Sequence, residues 1–151
     1  MLAASHLVAG GVVGSYIGNP FLAFLVGIII HFLLDSVPHF DTIEEDKFDY
    51  KELSLIFIDF LIGMAIIIWV IKPDISLNSS FVWGSIGGMT PDLFDNVPFW
   101  KETFRKTRIG SKVHYLHERI HSKAFDKRPL LGILTQLITI AIFIWLFTLK
   151  K

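Results

Sequence analysis

Residues 129–149 read PLLGILTQLITIAIFIWLFTL and contain no charged side chain. Residues 53–71 form a second apolar run of 19 residues in which Asp59 is the one charged residue. A helix needs about 20 residues to cross the hydrocarbon core of a bilayer. A soluble chain of 151 residues has too small an interior to bury two such runs. The two runs therefore predict membrane-spanning helices.

The composition supports a membrane protein and excludes several other classes. Hydrophobic residues make up 52% of the chain, cysteine is absent, and 14 basic side chains balance 14 acidic ones. A chain this hydrophobic is not disordered. A chain without cysteine is not a secreted domain held together by disulfides. Without cysteine, thiolate zinc sites and thiol catalysis are excluded as well. We expect no nucleic-acid partner, because the net charge is zero and no groove-reading motif is present.

The remaining segments complete a helical bundle in a single domain, residues 1–151. Residues 2–37 predict a helical hairpin that breaks at Gly18-Asn19-Pro20, where asparagine can cap a helix and proline can begin one. Residues 79–90 predict a short helix that Pro91 stops, and residues 100–128 predict a basic loop with an interfacial helix. The predicted fold is therefore an all-α polytopic membrane bundle of about five membrane helices, the fourth short or broken, plus one interfacial helix.

The basic residues predict the orientation of this bundle. If five helices cross, residues 1–6, 35–53 and 90–128 lie on one side of the membrane. That side carries 11 of the 14 lysines and arginines. Short basic loops stay in the cytoplasm, so this side of the membrane is predicted to face the cytoplasm. Its basic residues are expected to contact membrane lipids.

Ionisable side chains interrupt the apolar helices near this same side. His31 and Asp35 lie one helical turn apart, and the hairpin register places His6 level with His31. Asp59 enters the third helix from the same side at a depth of roughly 10 Å. An aspartate at the centre of a membrane helix costs about 2.5 kcal/mol or more, so these residues need a functional reason.

Further histidines and aspartates follow the helix ends on that side. His117 and His121 have the four-residue spacing with which two imidazoles bind one ion. Together the layer offers ten candidate metal ligands, which are His6, His31, Asp35, His39, Asp41, Asp59, Asp92, Asp95, His117 and His121. Imidazole and carboxylate donors suit zinc, with manganese or iron as the alternatives. One to three ions are therefore expected. With three ions most of the ten residues would bind metal directly, and with fewer ions the remaining residues would orient the ligands.

Two roles besides metal binding are predicted. Asp95 or Asp41 is the expected catalytic base. Arg119, between His117 and His121, is the expected substrate-binding residue and would hold a phosphate. The simpler interpretation of the basic residues around Arg119 is attraction to anionic lipid headgroups.

Four motifs resemble a known family over nearly the whole chain. They are Ala4-Ser5-His6-Leu7, residues 31–41 (HFLLDSVPHFD), residues 87–92 (GGMTPD) and residues 117–121 (HERIH). In these motifs the chain resembles the prokaryotic family of membrane-bound metal-dependent hydrolases. The His31–Asp35 spacing followed by Pro38-His39 is also similar to that of the soluble zinc-dependent phospholipase C and single-strand nuclease superfamily. The resemblance implies a zinc-dependent hydrolase in a prokaryotic cell membrane.

The predicted function is hydrolysis by a metal-activated water at the cytoplasmic membrane surface. A lipid-like ester or phosphoester is the expected substrate, and the specific reaction expected is phospholipase-C-like cleavage. Two alternatives stay open at this point. One is a metal-ion or proton transporter in which His31 and Asp59 form a relay. The other is a non-catalytic membrane adaptor with a structural metal. The sequence predicts no particular oligomeric state.

Overall fold

The computed structural model describes residues 3–40, 50–71, 79–122, 124–125 and 128–150. All regular secondary structure within these ranges is helical, which confirms the all-α prediction. The helices are α1 (Ala3–Ser15), α2 (Pro20–Asp35), α3 (Tyr50–Ile71), α4 (Ser79–Asp95), α5 (Lys101–Arg105), α6 (Arg108–Ile120) and α7 (Pro129–Leu149).

The hairpin of α1 and α2 turns where the sequence predicts. The Asn19 side chain accepts a hydrogen bond from the Leu22 N–H (3.1 Å), and Pro20 begins α2. This cap satisfies one of the backbone donors that a helix leaves free at its start. Because the two helices are antiparallel, the first turns of α1 lie level with the last turns of α2.

The fourth helix differs from the prediction that it ends at residue 90. It continues through Pro91 and ends at Asp95. A proline inside a helix removes one backbone hydrogen bond, which weakens the helix but need not end it. The last turn is supported by a hydrogen bond from the Asn96 N–H to the Asp92 carbonyl (2.9 Å). This turn brings Asp92 and Asp95, three residues apart, to one face of α4.

The basic segment contains two helices, α5 and α6, where one interfacial helix was predicted. Thr107 separates them and caps α6, since its hydroxyl oxygen accepts a hydrogen bond from the Gly110 N–H (2.9 Å). His117 is buried on the inward face of α6, whereas Lys112 and Arg119 are exposed on its other faces. The segment therefore closes one end of the bundle with a basic outer surface.

Helix α1 is the centre of the bundle, and glycines let its neighbours approach closely. Every residue of α1 except Val13 is buried, and α2, α3, α4 and α7 all contact it. A Cβ atom on Gly14 would lie 2.9 Å from the Cα of Gly84 in α4. Gly18, four residues after Gly14, lies in the turn with open space around it. Helix α1 therefore presents a smooth face at Gly10 and Gly14, where α4 packs.

The bundle buries ionisable side chains beside its apolar core and exposes large apolar side chains on its outside. His6, His31 and Asp35 are completely buried, whereas Phe21 is 68% exposed and Leu130 is 83% exposed. Large apolar side chains also cover the outer faces of α3 and α7. Proteins that fold in water rarely expose large apolar patches.

One helix in the described ranges, Pro129–Leu149, is long and apolar enough to cross a membrane. Helices α1 and α2 and the stretch Ser54–Val70 are apolar but shorter. The structure thus gives one candidate membrane-spanning helix by length and composition. The five crossings of the sequence prediction stay a proposal.

Candidate metal centre

Four helices bring five of the predicted ligands together at one end of the bundle. We call them the Asp35 cluster, and its members are His6 from α1, His31 and Asp35 from α2, Asp92 from α4 and His117 from α6. The Asp35 carboxylate lies at its centre. The Nε2 atom of His6 is 3.2 Å from Asp35 Oδ1, and the Nε2 atoms of His31 and His117 are 3.1 Å and 2.9 Å from Asp35 Oδ2.

Asp92 lines the other side of the cluster, which is partly exposed. Its carboxylate oxygens lie 3.9 Å from His6 Nε2, 3.7 Å from His31 Nε2 and 3.5 Å from His117 Nε2. Its side chain is 18% exposed, whereas those of His6, His31 and Asp35 have no exposed surface. The cluster is therefore reached from the surface on the Asp92 side.

Backbone contacts fix which nitrogen of His31 faces the cluster. Its Nδ1 lies 2.8 Å from the carbonyl oxygen of Gly88, and a carbonyl oxygen can only accept. Nδ1 is therefore the donor, and Nε2 of the neutral ring carries a lone pair. That lone pair points into a space between two carboxylates, an arrangement that a cation stabilises.

Three buried ring nitrogens of the two innermost histidines, His6 and His31, lack hydrogen bonds among the described residues. Within the part of the chain that the structure describes, neither ring nitrogen of His6 makes one, and nor does Nε2 of His31. The nearest carboxylate oxygens to the two Nε2 nitrogens are those of Asp35, 3.1–3.2 Å away. A buried polar atom without a partner costs about 1–3 kcal/mol, so these atoms indicate a ligand between them.

The distances in the cluster fit donors that share one ion. Two donors that each lie about 2.0–2.1 Å from a tetrahedral zinc are about 3.3–3.4 Å apart. The nitrogen–oxygen distances around Asp35 and Asp92 run from 2.9 Å to 3.9 Å and bracket this value. The residues present therefore fit a divalent cation held by imidazole and carboxylate.

His117 shows that the carboxylates favour positive charge at this position. Burial lowers its pKa, but hydrogen bonds to Asp35 and Asp95 and the charge of Asp92 outweigh burial and raise the pKa to about 10. The same carboxylates would favour a divalent cation in place of that proton. Metal binding at such a site releases protons, because the ligands must be deprotonated.

Asp95 lies behind His117, where it orients the ring. Its Oδ2 atom is 3.2 Å from His117 Nδ1 and 3.1 Å from His114 Nδ1. Its Oδ1 accepts a hydrogen bond from Arg105 Nε (2.8 Å), and Arg105 Nη2 also donates to the Asp95 carbonyl (2.8 Å). Because His117 Nδ1 faces Asp95, its Nε2 is left to face Asp35. This is the carboxylate–histidine arrangement that supports metal ligands.

Asp95→Asn is expected to lower metal affinity by about 10- to 100-fold, the usual cost of losing a carboxylate that orients a ligand. The amide cannot accept from Arg105, His114 and His117 at once, so the His117 ring loses its fixed orientation. Competition with a chromophoric chelator measures the affinity. His114→Ala is the matched control, because His114 contacts Asp95 without reaching the cluster. Equal affinity in Asp95→Asn and wild type would contradict this role.

A second pair of imidazoles lies beside the cluster. The Nε2 atoms of His39 and His121 are 3.0 Å apart. His39 Nδ1 donates to the Val37 carbonyl (2.7 Å), and burial lowers the pKa of His39 to about 4. Ligand atoms of Asp35, His39 and His121 all lie within 4.8 Å of one another. We call His39 and His121 the His39–His121 pair.

The structure places two of the other predicted site residues away from the cluster. Asp59 accepts a hydrogen bond from the Ala4 N–H (2.9 Å) at the start of α1. Its carboxylate thus caps α1, the helix that carries His6. Arg119 is exposed and donates to the Tyr115 hydroxyl (3.0 Å). Asp41, predicted as a ligand and possible base, lies outside the described residues.

Sequence reasoning missed the groups that orient the ligands. The Gly88 and Val37 carbonyls cannot be recognised from residue types, and no spacing rule links Arg105 to Asp95. His114 does carry a signal, since it lies three residues before His117 on one helical face.

A scan of family models, a search of curated proteins and a search of solved structures found no match to this chain. The family resemblance described above therefore stays a prediction that depends on the four motifs. The function has to be inferred from the cluster and its surroundings.

Proposed function

We propose that this protein is a membrane-embedded metal-dependent hydrolase that cleaves an ester or phosphoester with a metal-activated water. The observation that carries the proposal is the convergence of three histidine Nε2 atoms on the carboxylates of Asp35 and Asp92, two of them without hydrogen bonds. The donor set contains no sulfur, so zinc is the expected metal, with manganese or iron as alternatives.

The metal would be held by members of the Asp35 cluster. A bound divalent ion supplies two things to hydrolysis: it lowers the pKa of water toward 7 and it stabilises negative charge on the attacked group. Gly88 and Asp95 orient His31 and His117 so that their Nε2 atoms face the site. The chain's own part is thus to fix the donors and to leave one side accessible.

Asp92 is the carboxylate best placed to take a proton from water. It lies on the accessible side of the cluster, and the Asn96 side-chain amide donates to its Oδ1 (2.7 Å). Asp95 already accepts hydrogen bonds from three side chains, so we assign it a positioning role in place of the base predicted from the sequence. Asp41 stays a prediction for the base.

The proposed location is a prokaryotic cell membrane, crossed several times, with the cluster at the cytoplasmic face. The support is the set of ionisable side chains buried in the bundle and its exposed apolar exterior, which includes α7, the one candidate membrane-spanning helix among the described residues. The basic outer surface of α5 and α6 lies at the same end as the cluster. Anionic lipid headgroups attract such a surface, so a lipid-like ester or phosphoester is the proposed substrate.

The geometry supports the two alternatives less well. A proton relay would use Asp59, but the Asp59 carboxylate is engaged by the backbone of α1. A structural metal site is closed to water, whereas the Asp92 side chain is 18% exposed, so the cluster is reachable from the surface on that side.

Turnover by purified, zinc-loaded protein tests the proposal. Wild type, His31→Ala and Asp59→Asn would be compared in detergent on a set of lipid phosphoesters and carboxylic esters. We expect hydrolysis that a chelator stops and zinc restores, lost in His31→Ala and retained in Asp59→Asn. Protein that binds zinc tightly but hydrolyses none of these substrates would overturn the hydrolase proposal and favour a structural metal.

A further inference from the structure

We propose a second metal position beside the first, formed by the His39–His121 pair and Asp35, whose carboxylate serves both positions. This inference rests on the proposed function, since it assumes that the Asp35 cluster binds a cation. It deepens that function by making the centre dinuclear and by favouring a phosphoester as the substrate.

The protonation pattern of His39 supports this position. Its Nδ1 atom donates to the Val37 carbonyl, so Nε2 of the neutral ring presents a lone pair. This lone pair faces His121 Nε2 at 3.0 Å. Two donors bound to one ion at about 2.0–2.1 Å, with an angle of about 90–109°, lie about 2.8–3.4 Å apart. The spacing of the pair is that of two ligands in one coordination shell.

The backbone holds His121 close to Asp35. His121 follows the last residue of α6, and its N–H donates to the His117 carbonyl (2.9 Å). The next residue, Ser122, donates its N–H to the Asp35 carbonyl (2.8 Å). The end of α6 is therefore joined to the end of α2 where the Asp35 side chain leaves the helix. This joint explains why the two histidines and Asp35 meet.

Helix α7 holds His39 from the other side. Gln136 is 3% exposed, and its side-chain amide donates to the Phe40 carbonyl (2.8 Å). Gly132 lies directly against the Phe40 backbone, where a side chain would not fit. A buried glutamine in a helix without charged residues is costly unless it is paired. Two residues of α7 therefore position the segment that carries His39.

A hydrogen bond between the two imidazoles would also explain their 3.0 Å distance. It would not explain why Asp35 lies close enough to complete a three-ligand set. The two interpretations differ in metal stoichiometry, because a hydrogen-bonded pair adds no ion.

A shared carboxylate has a consequence for the substrate. Paired cations about 3.5–4 Å apart stabilise both the attacking and the leaving oxygens of a phosphoester during in-line displacement. A carboxylic ester offers such a pair one carbonyl oxygen, whereas a phosphoester offers at least two non-bridging oxygens. A dinuclear centre therefore favours a phosphoester.

Metal stoichiometry measured by elemental mass spectrometry tests the second position. The protein would be loaded with zinc and dialysed before the measurement. We expect about two equivalents in wild type, about one in the double variant His39→Ala/His121→Ala, and about one in His6→Ala, which affects the first position. A manganese-loaded wild-type sample should give the electron paramagnetic resonance signal of a spin-coupled pair, which needs no variant and so cannot be lost through misfolding.

The outcomes separate this inference from the proposed function. One equivalent in wild type, with no spin-coupled signal, would overturn the second position and leave the first intact. Two equivalents that persist in the double variant would also overturn it, because the second ion would then lie elsewhere. No bound metal in wild type would overturn both proposals.

Discussion

Asp35→Asn is expected to reduce the zinc affinity of the purified protein by more than about 100-fold, since losing a group that only orients a ligand already costs about 10- to 100-fold. The Asp35 carboxylate lies within 3.2 Å of the Nε2 atoms of His6, His31 and His117. Asparagine has a similar shape but no charge, and its amide N–H group would face imidazole nitrogens that are needed as donors to the metal. Isothermal titration of chelator-stripped protein with zinc measures the loss.

Asp59→Asn is the matched control, because it makes the same chemical change in another aspartate of the bundle. The side-chain oxygen at position 59 caps α1 through the Ala4 N–H, and an amide oxygen can accept the same hydrogen bond. We expect zinc affinity within a few-fold of wild type. Equal losses in Asp35→Asn and Asp59→Asn would point to a general effect on folding and count against a centre at Asp35.

Gly84→Leu is expected to have the largest effect on stability. A Cβ atom on Gly84 would lie 2.9 Å from the Cα of Gly14, and Gly27 of α2 also packs against the Gly84 backbone. Inserting side-chain atoms into a packed core usually costs about 1–3 kcal/mol. Here the free energy of unfolding should fall by more than about 3 kcal/mol, because helix backbones cannot move aside as side chains do. Thermal unfolding in detergent, followed by circular dichroism, measures the change.

Gly18→Leu is the control for this prediction, since the same side chain enters the turn between α1 and α2. Nothing lies within 4 Å of a Cβ atom built on Gly18. A surface substitution of this kind usually changes stability by less than about 0.5 kcal/mol. If Gly84→Leu unfolded at the same temperature as Gly18→Leu, the close packing of α1, α2 and α4 would be contradicted.

Much of the layer that holds the cluster could be predicted from the sequence. The break at residues 18–20 fixes the hairpin register, and the structure stacks the rings of His6 and His31 with centroids 4.1 Å apart. The four-residue spacing of His31 and Asp35 placed both on one face of α2. Periodicity and antiparallel geometry are local rules, so they carry over directly into the fold.

What could not be predicted depends on contacts between distant segments. Pro91 is a helix breaker by propensity, yet α4 continues past it and brings Asp92 and Asp95 inward. Aspartate is a residue type that binds metals, but Asp59 instead accepts a hydrogen bond from the backbone at the start of α1. Arg119 lies between two histidines in the sequence, and the helical period turns it away from them.

The central claim is that a cation lies between the histidines of the Asp35 cluster. X-ray absorption at the zinc edge, on zinc-loaded and dialysed protein, tests it most directly. The account predicts nitrogen and oxygen ligands at about 2.0–2.1 Å, no sulfur, and imidazole scattering that decreases in His31→Ala. Loss of all zinc on dialysis, or the spectrum of a hydrated ion without imidazole, would contradict the account.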